Sequence, residues 1–258
     1  MSFKSRNTYH KLSILDGLEV LDAKNHRTSF PAHFHDTFNI TLAFDQTFNT
    51  KLNDTDLSAP SGTITITNPD EIHATVCDGV VGNSFFTFYI SPEVLQQINN
   101  NNPVFFNEKV IYNRALFADL YVLSQNILAE TPAFEKKLWD CLTVLIANHA
   151  APHDFKNAEI SLFNRFLEEE TAKKFSLENT AKSFGLDKYK FLRLFKQQTG
   201  LTPNNYLIVK RIEHSKKLLK TDNDLLGIAV ESGFYDAAHL CHYFKKYVGV
   251  TPNEYKNA

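Results

Sequence analysis

The chain has 258 residues, of which 43% are hydrophobic, and a formal net charge of −2. This composition predicts a globular protein, and no run approaches the roughly 18 to 20 apolar residues of a membrane-spanning helix. The three cysteines are scattered and odd in number, which excludes a fully paired disulfide framework and a CxxC metal site; with an N-terminus that has no signal-peptide core, they predict a cytoplasmic protein.

Charge is distributed unevenly along the chain. From Ala172 to the C-terminus there are 15 Lys and Arg residues against 8 Asp and Glu, whereas the rest of the chain has 12 against 21. A basic C-terminal third on an acidic body favours a polyanionic partner for that end, although a solvated helical surface has the same composition.

Residues 1 to about 110 have the pattern of an antiparallel β domain. Runs rich in β-branched and aromatic residues recur at 38–44, 62–69 and 84–90, with turn-rich segments and no helical pattern between them. Within 63–67 threonine and isoleucine alternate strictly, as expected for a strand with one buried face. Several short strands joined by turns predict a sandwich or barrel.

The next region, 111–157, has the pattern of a helical hairpin and a linker. Apolar residues at helical spacing run from Leu116 to Ile127 and again from Phe134 to Ile146. Each stripe needs an apolar partner, which is either the β domain or the same helix of a second chain. We expect at least one of these helices to contribute to a homodimer and 151–157 to form the linker.

A seven-residue phrase occurs twice in the last third of the chain. Residues 200–206 read GLTPNNY and residues 249–255 read GVTPNEY. In each copy the glycine is suited to end a helix in the left-handed region, the threonine to cap the next helix, and the proline to occupy its first position. The phrase therefore predicts a helix end, a tight turn and a new helix.

Each phrase is preceded by the pattern of a helix-turn-helix. Before the first, a short apolar helix with Ala181 ends near Gly185, and a second helix buries Phe195. Before the second phrase the pattern recurs in Leu226, Ile228, Ala229, Gly233, Leu240 and Phe244. One such pattern is a weak signal, but two with the same exit, joined by a continuous helix over 204–220, indicate an all-α DNA-binding domain.

The second helix of each unit carries the residues expected to contact DNA. In the first unit the exposed positions include Lys188, Tyr189, Lys190, Arg193 and Lys196. Arginine can bind guanine edges with two hydrogen bonds, and lysine can bind phosphates. In the second unit the exposed positions include Asp236, Ala237, Ala238, His239, His242 and Lys245.

Residues 160–258 resemble the AraC/XylS family of bacterial transcription regulators. The resemblance rests on FLRLFKQQTGLTPNNYL, KRIEHSKKLL and GFYDAAHLCHYFKKYVGVTPNEYK. It implies two recognition helices in successive major-groove turns, with these residues facing bases: Tyr189, Leu192, Arg193, Ala237, Ala238, Cys241 and His242. Since the family usually has a polar residue at Ala238 and an arginine at His242, we expect the first unit to contribute most of the specificity.

Three histidines of the β domain lie in two short motifs. PAHFHDTFNI places His33 and His35 two residues apart, and NPDEIH adds His73. Residues 25–95 resemble the family's cupin-like effector-binding barrel, which implies an effector site at His33, His35, Asn39 and His73. Metal-dependent cupins have a glutamate where Asn39, a poor ligand, stands here. The histidines thus form an open three-histidine metal site, contact an effector, or are structural; we expect an effector site without metal or other cofactor.

The sequence therefore predicts an α+β protein of two domains. A cupin-like antiparallel barrel (1–110) with a helical hairpin and linker (111–157) precedes an all-α tandem helix-turn-helix domain (158–258). We expect a non-enzymatic, ligand-responsive regulator that binds promoter DNA as a homodimer, contacts RNA polymerase and activates neighbouring transport or catabolic genes. Two alternatives are a constitutive regulator whose N-terminal domain only dimerises, and a metal-dependent cupin enzyme with a helical appendage.

Overall fold

The computed structural model describes residues 4–53, 55–77, 79–129, 131–151, 175–221 and 223–258. These residues form two compact units, the first containing strands and helices and the second containing helices. Residues 152–157 of the predicted linker, and the predicted start of the DNA-binding domain at 158–174, lie outside the described residues. Every helix in the described ranges is too short or too polar to cross a membrane.

The first unit contains nine described strands and three described helices. The strands are β1 (Arg6–Lys11), β2 (Glu19–His26), β3 (Phe38–Ala43), β4 (Phe48–Leu52), β5 (Thr55–Ala59), β6 (Ile64–Thr67), β7 (His73–Thr75), β8 (Asn83–Ile90) and β9 (Val110–Ile111). The helices are α1 (Pro92–Ile98), α2 (Arg114–Gln125) and α3 (Pro132–His149).

The strands form two antiparallel sheets that face each other. The larger sheet has the order β1-β2-β8-β3-β6-β9 and the smaller has the order β5-β4-β7. The rings of Phe48 and Phe85, 5.0 Å apart, and a hydrogen-bond contact between the Asn39 amide and the His73 ring join the two sheets. The predicted antiparallel, cupin-like domain is confirmed, but it consists of two facing sheets and not of one closed barrel.

One face of the larger sheet packs against the three helices. Alternation along each strand sends every second residue to this face, as the period of two requires. The buried cluster includes Ile40, Leu42, Ile64, Phe86 and Phe88 from the sheet and Leu116, Leu120, Leu138, Leu142 and Leu145 from the helices. The apolar stripes of α2 and α3 thus find their partner within the same chain, in the β domain.

The second unit contains six described helices. They are α4 (Leu177–Ser183), α5 (Lys188–Thr199), α6 (Pro203–Leu218), α7 (Leu225–Glu231), α8 (Ala237–Val248) and α9 (Pro252–Lys256). The pairs α4–α5 and α7–α8 are the two predicted helix-turn-helix units, and α6 joins them. Their turns contain Gly185 and Gly233, whose φ angles of 67° and 85° lie in the left-handed region that glycine adopts without strain.

The repeated phrase forms the predicted helix end and helix start in both copies. Gly200 ends α5 with φ of 72° and Gly249 ends α8 with φ of 87°. Thr202 and Thr251 cap the following helices, each accepting a hydrogen bond from a backbone N–H three residues on. The tyrosines of the phrase pack edge-to-face on the buried phenylalanines, in the pairs Phe195–Tyr206 and Phe244–Tyr255.

One residue of the second repeat departs from the predicted core. The side chain of Leu226 is 56% exposed, whereas Ile228 and Ala229 are buried. Residues three and four apart share a helix face, so Leu225, which is half-buried, lies on the inward face with Ile228 and Ala229. Leu226 lies one residue further round the helix and points outward.

Candidate DNA-binding and effector-binding sites

An aspartate cap fixes the start of each recognition helix, α5 and α8. Asp187 Oδ1 accepts hydrogen bonds from the backbone N–H groups of Tyr189 and Lys190, at 2.9 and 3.0 Å. Asp236 Oδ1 accepts one from the backbone N–H of His239, at 2.7 Å. The bond from Lys190 and, to a smaller extent, the bond from Tyr189 lower the pKa of the Asp187 carboxyl, which favours its charged form.

The outward face of α5 is basic. The side chains of Lys188, Tyr189, Lys190, Arg193 and Lys196 are exposed, and Leu192 is half-buried beside them. The Lys188 ammonium lies 5.1 Å from the centre of the Tyr189 ring, within the range of a cation–π contact. The helix therefore offers an aromatic ring, a guanidinium group and three ammonium groups to one partner.

The outward face of α8 is less basic. Ala238, His242 and Lys245 are exposed, and Ala237 and Cys241 are half-buried. The His242 ring packs edge-to-face on Tyr243, 5.1 Å between centres. All eleven residues predicted to contact DNA thus lie at the surface of the unit, and their contact with bases or phosphates stays a prediction.

Sequence reasoning missed Tyr235, the residue immediately before the cap of α8. Its side chain is 87% exposed, and its backbone N–H donates to His239 Nδ1 at 3.3 Å. A bulky aromatic residue beside a helix-capping aspartate was the available signal. Its position at the entrance of the second recognition helix places it beside the predicted contact residues.

The face of the larger sheet that meets the smaller sheet is lined with small polar side chains. Thr65, Thr41 and Thr87 lie side by side across three strands, and the hydroxyls of Thr41 and Thr87 are 2.9 Å apart. The three threonines are buried, as are Thr50 and Thr75 on the smaller sheet. Buried polar groups cost free energy unless they are hydrogen-bonded, and the contacts of Thr41 with Thr87 and of Thr50 with the Ala74 carbonyl oxygen meet this need.

Of the predicted effector residues, Asn39 and His73 lie at one end of this polar face, with His35 beside His73. His33, His35, Asn39 and His73 are all buried, between 5% and 8% exposed. The rings of His35 and His73 are 5.3 Å apart, and His73 Nε2 is 3.3 Å from Asn39 Nδ2. The structure therefore brings all four predicted residues into buried positions and places Asn39 against His73.

The three histidines also meet the geometric requirement for a metal site. One ring nitrogen of each lies within 4.8 Å of the others. His73 Nδ1 is 2.9 Å from the carbonyl oxygen of Glu71, and His33 Nδ1 is 2.6 Å from that of Pro31. Because a carbonyl only accepts, both Nδ1 atoms donate their hydrogen to it, and the Nε2 atom of His73 faces the Asn39 amide. The donor set suits a transition metal or a polar ligand.

Comparisons with known proteins decide between the classes of protein that this geometry allows. The family described as AraC-like ligand binding domain matches residues 17–160, and the family described as helix-turn-helix domain matches residues 180–258. The first match covers more than half of the chain. The chain belongs to the AraC family of transcription regulators.

Individual relatives of the AraC-family chain agree with this assignment. It is 27% identical over 237 residues to the uncharacterized regulator YbfI of Bacillus subtilis, with 86% of each chain covered. It is 24% identical to the transcriptional activator RhaS of an Enterobacter species, with 88% of each covered. Apo ToxT from Vibrio cholerae shares the fold with a TM-score of 0.59 at 12% identity, covering 93% of this chain and 96% of ToxT.

The buried histidines of this AraC-family chain make a specific prediction about pH. Burial lowers the pKa of both His73 and His26, so the folded unit holds these rings neutral, whereas the unfolded chain protonates them near pH 6.5. The free energy of unfolding is therefore fully retained above pH 6.5 and falls as the pH falls below it, by at most about 1.4 kcal/mol per pH unit for each histidine. Urea denaturation followed by the fluorescence of Trp139, the one tryptophan of the chain, measures it.

The control for the pH prediction is His26→Gln. We expect wild type to lose stability between about pH 7.5 and about pH 5.5, and His26→Gln to lose less. Stability that is equal at the two pH values, or higher at the lower one, contradicts the prediction.

The sequence motif NPDEIH contains a second group of contacts that sequence reasoning missed. Asn68 of this motif forms two buried hydrogen bonds with the backbone of Phe106, and Glu71 accepts a partly buried one from Lys109. Asn68 is 2% exposed. An asparagine and a glutamate at this spacing gave no signal of their own, because their partners are 38 residues away in the chain.

Proposed function

We propose that this AraC-family regulator responds to a small polar effector that binds at His33, His35, Asn39 and His73. The observation that carries the proposal is the polar lining of the space between the two sheets. Ligand sites combine a buried surface with a few convergent polar groups, and these histidines and Asn39 supply donors and acceptors next to Thr41 and Thr87. A polar effector can add hydrogen bonds to those that these groups already make, which an apolar effector cannot.

For DNA binding, we propose that α5 makes the base contacts and that α8 mostly contacts the DNA backbone. The outward face of α5 has Arg193 and three lysines, and that of α8 has alanines, His242 and Lys245. Lysine contacts to phosphate position a protein on DNA, whereas arginine contacts to base edges select the sequence. Effector binding then shifts the population of molecules that can occupy adjacent half-sites.

We further propose that the regulator acts in the cytoplasm as a homodimer and activates neighbouring transport or catabolic genes through RNA polymerase. The name of the related RhaS, a transcriptional activator, supports the sign of regulation. Four apolar side chains on or next to α2 and α3 remain exposed although the stripes are buried: Tyr121, Val122, Leu128 and Val144. They supply a dimer contact of moderate size, and sedimentation velocity of the full chain measures the association.

A thermal-shift screen combined with promoter binding tests the effector site. The panel contains monosaccharides, short hydroxy acids, fatty acids and divalent metal ions. We expect a hydroxylated compound to stabilise the first unit, by about 2.7 kcal/mol at a hundredfold excess over its Kd. His73→Gln is expected to abolish this stabilisation and to leave binding to the upstream DNA of the gene unchanged.

The other outcomes of the screen each point to a different function. Stabilisation by fatty acids alone contradicts the polar-effector proposal. Stabilisation by a metal ion that chelator reverses favours the three-histidine metal site. A protein that binds the promoter equally with and without every compound is a constitutive regulator.

A further inference from the structure

The turn between β6 and β7, residues 68–71, contacts two of the three clustered histidines, His35 and His73. The backbone N–H of Asp70 donates to the carbonyl oxygen of His35 at 2.8 Å, and His73 Nδ1 donates to the carbonyl oxygen of Glu71 at 2.9 Å. Asp70 has φ of 61°, in the left-handed region that side chains other than glycine seldom adopt. The turn is thus held in a conformation that its flanking contacts must maintain.

The carboxylate of Glu71 provides those contacts. It accepts hydrogen bonds from the backbone N–H of Asn68 at 2.8 Å and from Asn68 Nδ2 at 3.0 Å. Lys109 Nζ lies 2.7 and 2.8 Å from its two oxygens, and both side chains are largely buried, 15% and 18% exposed. Charge-assisted hydrogen bonds shielded from water are the strongest polar contacts in a protein, so this pair fixes the geometry of the turn.

The same lysine belongs to a segment that reaches the end of α3. Lys109 Nζ also donates to the carbonyl oxygen of Phe106 at 2.7 Å. Within this segment the carbonyl oxygen of Phe105 accepts a hydrogen bond from the backbone N–H of Ala151 at 2.8 Å, and Glu108 pairs with His149 at 3.0 Å. Residues 105–109 therefore contact the histidine-bearing turn on one side and the last residues of the hairpin on the other.

We propose that Glu71 and Lys109 are positioning residues that hold the His73 ring with its hydrogen on Nδ1 and couple the histidine pair to the end of α3. After Ala151 the chain continues towards the DNA-binding unit. The value of this coupling as a signal rests on the proposed effector function. The coupling itself is a property of the first unit and is measured without effector or DNA.

A purely structural role for the ion pair makes a different prediction from a coupling role. A structural pair stabilises the unit as a whole, and changes at His73 and at the end of α3 then add independently. A coupling pair makes the response at the end of α3 depend on the state of His73, and the dependence disappears when the pair is broken. A double-mutant cycle of His73→Gln and Lys109→Met separates the two roles.

Hydrogen exchange of the full chain, without added ligand, measures the coupling. We expect His73→Gln to change the exchange rates of the Ala150 and Ala151 amides by about fivefold or more, and by less than about twofold in a Lys109→Met background. The matched control background is Lys137→Met, which breaks the exposed ion pair between Lys137 and Asp119 that joins α3 to α2. There the full response to His73→Gln is expected.

Glu71→Gln provides a second background if Lys109→Met does not fold. In that variant, nitrogen NMR is expected to show a larger fraction of His73 with its hydrogen on Nε2, and Lys109→Arg is expected to keep the wild-type tautomer. An equal response to His73→Gln in all backgrounds, or no response in wild type, overturns the proposal. Promoter binding by wild type is measured separately, and its absence contradicts the proposed function while the exchange result stands.

Discussion

Arg193→Ala is expected to reduce the affinity for promoter DNA by about ten- to a hundredfold, whereas His242→Ala reduces it by less than about threefold. The two residues occupy comparable exposed positions on the outward faces of α5 and α8. A guanidinium group donates two hydrogen bonds in a fixed plane to a guanine edge, and removing such a pair costs about 1 to 3 kcal/mol. An imidazole donates one bond at most to the same edge.

The surroundings of the two residues increase the expected difference. Arg193 lies between Lys190 and Lys196 on α5, and we expect their ammonium groups to bind phosphates on either side of the base that it is predicted to contact. His242 lies on a face with Ala238, whose methyl group can only pack against a thymine methyl. Loss of His242 is therefore expected to leave the predicted contacts of α8 to the DNA backbone in place.

Competition footprinting on the native upstream DNA, at one fixed salt concentration, compares the variants. Arg114→Ala is the matched control, because Arg114 is an exposed arginine of the first unit, at the start of α2. It is expected to keep wild-type affinity. A greater loss of affinity for His242→Ala than for Arg193→Ala, at equal folding stability, would show that the second unit contributes most of the sequence specificity.

Features that depend on neighbouring residues could be predicted from the sequence. Gly200, Thr202 and Pro203 specify a helix end and a helix start through their own backbone preferences, and the structure has both at those residues. The same holds for the second copy of the phrase. The alternation of threonine and isoleucine over 63–67 predicted the strand β6, but the prediction of a single buried face was wrong, because Thr65 is 5% exposed and lies between the two sheets. Local chemistry decides these features, so the sequence displays them.

Features that depend on distant partners could not be predicted in the same way. The stripes of α2 and α3 required an apolar partner, but their spacing fits a sheet and a second helix equally well, and the structure shows the sheet. The spacing of His33 and His35 indicated a shared site, but the turn that holds His35 and His73 depends on Lys109. Contacts across 38 residues leave no local pattern to read.

Asn68→Ala is expected to lower the free energy of unfolding of the first unit by about 2 to 4 kcal/mol. Asn68 is 2% exposed, and its side-chain amide donates to the Phe106 carbonyl oxygen and to Glu71 while its oxygen accepts from the Phe106 N–H. The alanine variant leaves these groups buried without partners, and water has little access to replace the amide. Urea denaturation followed by Trp139 fluorescence measures the change in the first unit.

The matched control is Asn126→Ala, at the end of α2. Asn126 is exposed, and its side-chain hydrogen bond to the Val122 carbonyl oxygen is replaced by water in the variant, so we expect a loss of less than about 1 kcal/mol. Equal losses for the two variants would show that the Asn68 contacts add nothing beyond an ordinary surface bond. A large loss for Asn68→Ala would show that Asn68 stabilises the turn that carries Glu71, in addition to Lys109. The carbonyl oxygen of this turn accepts the hydrogen of the His73 ring, so its position determines that of the ring.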